Sequence, residues 1–322
     1  MNRNPTRRGV LLALASAAAL PGCLWTPPVR PQRALRGRNP VDPEIIGEVD
    51  RIGGVFRAAL QRAFRAPPEE QAAWVGALPP RDQSVAWEAT AMAVAWLERN
   101  TGSPQTWEGL CVAQGPEHEL GLALGLGWAL SWLELPAQGL IEDLDPLLRW
   151  RVLDGYGFRD GLVSPRPFAL RQDPPALIDG YARTIWRQGL GRSLWYTTHG
   201  DLDELGAILA AFPASERADL WRGIGVAATW IGSLDEVSMN LLQEAAGAER
   251  SWLALGSAMA ARTCRDIGGV TERQTAPCSV LGGASPEALA AVTDAAEAAL
   301  PATEGELPLF QQWMNGIASR LV

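Results

Sequence analysis

The chain has 322 residues, 47% of them hydrophobic, with a formal net charge of −8 and a pI near 5.0. That length is ample for one large core or two intimate ones, and the acidic balance excludes nucleic acid as a partner, because phosphate binding needs a basic face. All 28 basic residues are arginine, a sign of codon usage in a GC-rich genome that carries no functional message.

The chain opens with Thr6, Arg7, Arg8 and Gly9, then an apolar, alanine-rich run to Leu20, then Pro21, Gly22 and Cys23. A basic head, a short apolar middle and a small residue before a cysteine make residues 1–22 an export signal of twin-arginine, lipoprotein type. The apolar run is too short to stay in a bilayer as a permanent helix. The mature chain is therefore expected to begin at an acylated Cys23, on the periplasmic side of an inner or an outer membrane. Pro21 leaves plain cleavage without acylation as the alternative. Residues 23–43 read as a flexible tether, with Arg30, Arg33, Arg36 and Arg38 set among prolines. They are either a solvated linker or a basic stretch resting against anionic headgroups.

From Glu44 onward the sequence reads as one all-α domain, 44–322. Ile45, Ile46, Val49, Ile52, Phe56, Leu60 and Phe64 keep a three-to-four spacing up to Pro67 and Pro68. A short helix over 69–78 stops at Pro79 and Pro80, and Asp82 or Ser84 is placed to cap the next. That helix carries Trp87 and Trp96 on opposite sides and ends near Gly102, the pattern of a helix sandwiched inside a body. A helix over 117–134 carries Gly121, Gly125 and Gly127. Each glycine costs about 1 kcal/mol in a helix interior unless close packing offsets it, so a short-range helix crossing is expected there.

Residues 153–175 read as an ordered loop, because Gly155, Gly157 and Gly161 make a helix costly and Pro165, Pro167, Pro174 and Pro175 follow. Around it the elements echo one another. Leu78-Pro79 with Trp87 and Trp96 returns as Phe212-Pro213 with Trp221 and Trp230. Gly54–Arg57 lines up with Gly189–Arg192, and Leu122–Gly125 with Leu253–Gly256. The recurrence favours an ancient duplication into two pseudo-symmetric helical halves, 44–150 and 180–300, joined by the Gly/Pro-rich loop. A cavity is expected between the halves.

The segments Asp145–Trp150 and Leu153–Phe158 resemble the bacterial DUF1702 family. So do Gln188–Tyr196, Phe212-Pro213 and Arg217–Gly225. The similarity extends in order and spacing over about 45–300. It implies a genomic setting beside enediyne and other polyene-type natural-product genes, without implying a reaction. Arg159-Asp160 stands where the family commonly has a histidine followed by an acidic residue, which weakens histidine acid–base chemistry at this place.

Candidate catalytic residues are Asp154, Asp160 and His118. The two aspartates read either as an acid–base or ion site or as Asx-turn caps. His118 lies between Glu117 and Glu119 at a helix start; it is either a general acid with its charged form stabilised or simply an exposed first-turn residue. His199 reads as a helix end before the capping Asp201. Candidate ligand contacts are Arg192, Ser193, Tyr156, Trp195 and Trp221, with Arg192 gripping an anionic group or pairing with a carboxylate such as Asp219. Fourteen tryptophans supply indole for a core and for a pocket. No metal site and no cofactor is expected; Cys111, Cys264 and Cys278 read as small buried hydrophobes, with at most one disulfide. The expected function is an accessory protein that binds or shapes a large hydrophobic, polyene-type metabolite. The alternatives are an enzyme for proton transfer or cyclisation on such a metabolite, and a non-enzymatic subunit docking on a membrane-protein partner.

Overall fold

The computed structural model describes residues 40–114 and 116–321. The signal, Cys23 and most of the tether fall in residues 1–39, outside the described residues. Fourteen α-helices follow in order: α1 Glu44–Ala63, α2 Pro68–Gly76, α3 Pro80–Thr101, α4 Trp107–Gln114, α5 Glu119–Trp132, α6 Arg149–Val163 and α7 Gly180–Thr198, then α8 Leu202–Ala211, α9 Ala214–Ile231, α10 Glu236–Ala246, α11 Arg250–Asp266, α12 Glu272–Gly282, α13 Pro286–Ala298 and α14 Leu309–Ala318. No strand occurs among the described residues, so the all-α expectation holds.

Local chemistry sets the helix boundaries. α1 buries Ile45, Val49, Ile52, Phe56 and Leu60 on one stripe, as the spacing requires. Pro80 starts α3, and Gly102 ends it at φ 65°, a conformation a glycine adopts without strain. Asp82 caps nothing there; its carboxylate receives Arg51 at 2.5 Å. α7 closes at His199 in the left-handed region, and the Asp201 side chain then accepts the N–H groups of Asp203 and Glu204 to begin α8. Thr271 and Gln274 form a reciprocal capping box on α12.

Segment 149–163 is a helix, α6, where the glycine count suggested a loop. Beyond it 166–170 form a single π-helical turn, and 171–179 carry no helix, so the loop expectation holds only for the end of the segment. Packing against the neighbouring helices overrides propensity. A methyl group on Gly155 would collide with the Leu124 carbonyl oxygen of α5, and one on Gly157 with the Trp186 carbonyl oxygen of α7. Only glycine allows this approach of backbones, and Cα–H···O contacts accompany it.

The same device recurs along the fold. Gly125 abuts Glu88 of α3, Gly155 abuts Leu124 of α5, Gly189 abuts Asp154 of α6, Gly223 abuts Gln188 of α7 and Gly256 abuts Arg222 of α9. These glycines follow one another at intervals of 30, 34, 34 and 33 residues. Gly121 against Ser84 and Gly125 against Glu88 show that α3 and α5 run in the same direction. Successive neighbours therefore form one continuous row, α1, α3, α5, α6, α7, α9, α11 and α13, with short helices filling most of the connections. The echo seen in the sequence joins members four steps apart in this row, α3 with α9, α1 with α7 and α5 with α11. The row passes through α6 without a break.

The row curls until its start meets its later members. The Val41 N–H reaches Gly200 O, the Ser233 hydroxyl donates to Asp42 at 2.6 Å, and the Ser238 hydroxyl donates to Val41 O at 2.7 Å. Arg81 of α3 donates to Trp230 O of α9 and lies over the Trp230 ring. Gly189→Ala should destabilise the chain by about 3 kcal/mol or more, because the collision is with rigid backbone. Gly54→Ala, whose added methyl group meets nothing within 4 Å, should raise stability by up to about 1 kcal/mol. Equal melting shifts for the two variants would contradict the packing role.

Candidate functional site

The curled row encloses a cleft to which α1, α3, α5, α6, α7, α9 and α11 all contribute. Its empty volume is about 1040 Å³ including the mouth. Val49, Ile52, Phe56, Leu124, Trp128 and Phe158 give it apolar walls, and Glu88, Arg151, Asp154, Arg192 and Tyr196 place polar groups inside it.

Those polar groups follow from the register of the row. Glu88, Asp154, Gln188 and Arg222 each occupy the residue whose carbonyl oxygen receives the glycine of the next helix, so they stand at equivalent levels on α3, α6, α7 and α9. Asp154 accepts Arg192 at 2.6 Å and the Gln188 amide at 2.5 Å, and Arg151 lies 3.9 Å from its second oxygen. Gln188 in turn accepts Arg222 at 2.5 Å, and Arg222 reaches Asp219 at 3.2 Å. Arg192 also lies 4.5 Å from the centre of the Phe158 ring, a cation–π contact. Burial opposes the charge of Arg192, yet Asp154 and Glu88 outweigh it and hold the guanidinium above its ordinary value. Burial pulls Arg151 down to about 10, still protonated at neutral pH.

Glu88 differs from the other members of the ring. It is buried, its Oε1 has no hydrogen-bond partner, and the Trp128 indole N–H faces its carboxyl without a well-formed hydrogen bond. Burial pushes the Glu88 carboxyl up to about 7, against the opposing pull of Arg192 and of the Trp128 N–H.

Asp154 and Arg192, both anticipated, meet in the cleft, and the partner of Arg192 is Asp154, with Asp219 engaged by Arg222 and Arg187 instead. Asp160 stands apart. It accepts the Ser131 hydroxyl at 2.5 Å and the Trp186 indole at 2.9 Å, joining α5, α6 and α7, and burial pushes its carboxyl up to about 6. Both aspartates lie on a helix and neither caps a turn. His118 sits beside Trp87, ring centres 5.8 Å apart, outside the cleft lining. Burial lowers its pKa despite Glu117, which reverses the expected stabilisation of its charged form. Ser193 donates to Leu190 O, and Tyr156, Trp195 and Trp221 are buried in the core away from the cleft lining. Cys264 and Cys278 are buried and Cys111 half-buried, all three free. No group of metal-ligating side chains gathers among the described residues.

Glu88, Trp128, Arg151 and Gln188 were not anticipated. Glu88 in its alanine-rich helix looks like a solvated acid. The interval between glycine-flanked positions was the signal able to align it with Asp154.

A second hollow of about 990 Å³ shares Leu120, Arg151, Met259 and Thr263 with the cleft. Glu117, Glu119, Asp145, Asp266 and Glu297 line it, opposed by Arg151 and Arg262. Carboxylates outnumber arginines in this adjoining hollow.

These features define an all-α protein whose curled row of helices surrounds an apolar-walled cleft holding buried charged groups. The chain belongs to the DUF1702 family, described as a protein of unknown function, whose model matches residues 26–321. No curated protein and no solved structure matches it.

Glu88 binds its proton more tightly in the folded chain than its ordinary value of 4.5 allows in the unfolded one. The folded state therefore holds more protons between these values, and stability falls as pH rises through that window, by about 3 kcal/mol in full. Asp160 acts in the same direction. Glu88→Gln should flatten the decline between about pH 5 and about pH 8 by roughly that amount, as read from denaturant melts. Parallel curves for the variant and the parent would contradict the assignment.

Proposed function

We propose that the protein binds a long, slender, apolar metabolite of polyene type in this cleft, as an accessory protein that holds or shapes it. The observation that carries this is the cleft itself, about 1040 Å³ including its mouth, walled by apolar and aromatic side chains from seven helices. Conjugated chains are thin and flat, and Trp128, Phe158 and Phe56 offer them ring faces and edges. The natural-product setting implied by the family resemblance supports the same choice.

We also propose that the protein works outside the cytoplasm, tethered through an acylated Cys23. Supporting this, the described chain starts next to Ser238, and Leu234, Val237 and Leu241 form an exposed apolar stripe around that residue, suited to lie against a membrane surface. No described helix is long and apolar enough to cross a membrane. A second reading, proton transfer or cyclisation of the bound chain, is favoured by one observation, the Glu88 carboxyl poised near neutrality inside the cleft. Under that reading Glu88 takes the acid–base role that Asp160 and His118 do not reach. A docking subunit remains the function if the cleft takes no ligand.

Diphenylhexatriene, a linear hydrocarbon polyene, should bind saturably with energy transfer from tryptophan. Val226→Trp, which fills the wall from α9, should weaken that binding by about tenfold or more at unchanged melting behaviour. Unaltered binding in the variant, or none in the parent, would overturn the proposal.

A further inference from the structure

We propose that the cleft floor receives one uncharged oxygen, the carbonyl head of the chain-like ligand, between the Glu88 carboxyl and the Trp128 indole. This deepens the binding function above and rests on it. Both side chains line the cleft. Glu88 is 9% exposed and Trp128 1%; neither Oε1 nor Nε1 makes a well-formed hydrogen bond, and the indole N–H faces the carboxyl. Buried polar groups are otherwise satisfied. At the same level of the row Asp154, Gln188 and Arg222 satisfy one another, so Glu88 is the position left open.

The chemistry of the two groups narrows the ligand. An indole N–H only donates, and the Glu88 carboxyl, protonated below its raised value of about 7, donates through its O–H. Two donors converging on one place call for an acceptor oxygen with two lone pairs and no proton of its own to place, which is a carbonyl. A hydrocarbon leaves both donors unmet. A carboxylate is disfavoured twice: Arg192 and Arg151 already share Asp154, and the carboxylates of the adjoining hollow disfavour an anion beside them. The titratable and charged groups facing Glu88 are Asp154 of α6 and Arg192 and Tyr196 of α7, with Trp128 of α5 beside it.

The test displaces diphenylhexatriene from the full chain with 2-hexadecanone, hexadecane or hexadecanoate. The ketone should displace at about a tenfold lower concentration than the alkane, with the advantage fading as pH rises through about 7. Glu88→Leu should shrink the preference to about twofold or less. Glu88→Gln, isosteric and still a donor, should keep the preference and lose its pH dependence. Trp128→Phe should halve the preference on a logarithmic scale where it folds. Equal displacement by ketone and alkane overturns this inference and leaves the binding function standing, whereas a chain that takes up no diphenylhexatriene at all overturns both. Stronger displacement by hexadecanoate than by the ketone overturns the uncharged head.

Discussion

Backbone meets backbone at the glycines of α5, α6, α7, α9 and α11, and the rest of the molecule depends on that approach. With no side chain between them, successive helices lie close enough for a glycine to touch the carbonyl oxygen of its neighbour. The helices become nearly fixed in register, because a slip along the axis would drive a side chain into the crossing. Register in turn decides which residues share a level. The residue beside each crossing stands at an equivalent height on every member of the row, and four of these positions are Glu88, Asp154, Gln188 and Arg222.

Polar groups at such positions are buried whether or not they find partners, so their pairing is a strict requirement. Asp154 answers it by taking Arg192 and the Gln188 amide, while Gln188 passes the connection on to Arg222. Losing one member of a buried pair strands the other, at a cost of about 3–5 kcal/mol, so this chain of contacts binds α6, α7 and α9 together. The geometry leaves Glu88 outside it, across the cleft, with burial pushing its proton on. A carboxyl group in an apolar slot with an unmet oxygen makes little sense as a contribution to stability alone. It makes sense as a place kept for something that enters.

The sequence made several of these features legible. Periodicity gave α1 and the all-α class, His199 and Asp201 were read correctly as a helix end and the next cap, and the glycines of α5 foretold a close crossing. The same reasoning failed one helix later. Gly155, Gly157 and Gly161 carry an intrinsic penalty of about 1 kcal/mol each in a helix interior, and propensity alone points to a loop; the compensation comes from α5 and α7, helices that local pattern cannot see. The echo between distant segments stands out at four steps because Trp87, Trp96, Trp221 and Trp230 are conspicuous, while the single step shows only in small residues. Asp154 and Arg192 stood out as charges among glycines. Glu88 did not, because nothing in an alanine-rich helix tells a buried acid from a solvated one until its neighbours are in place.

The central claim, that the glycine-packed row leaves an apolar-walled cleft for an extended apolar chain, is tested most directly by a crystal structure of the protein loaded with a linear chain brominated at its tail. The account predicts anomalous density for bromine within the cleft lining and away from Trp128, with the head of the chain toward Glu88. Bromine confined to the outer surface, or a solid interior with the walls of α1 and α7 in contact, would contradict it.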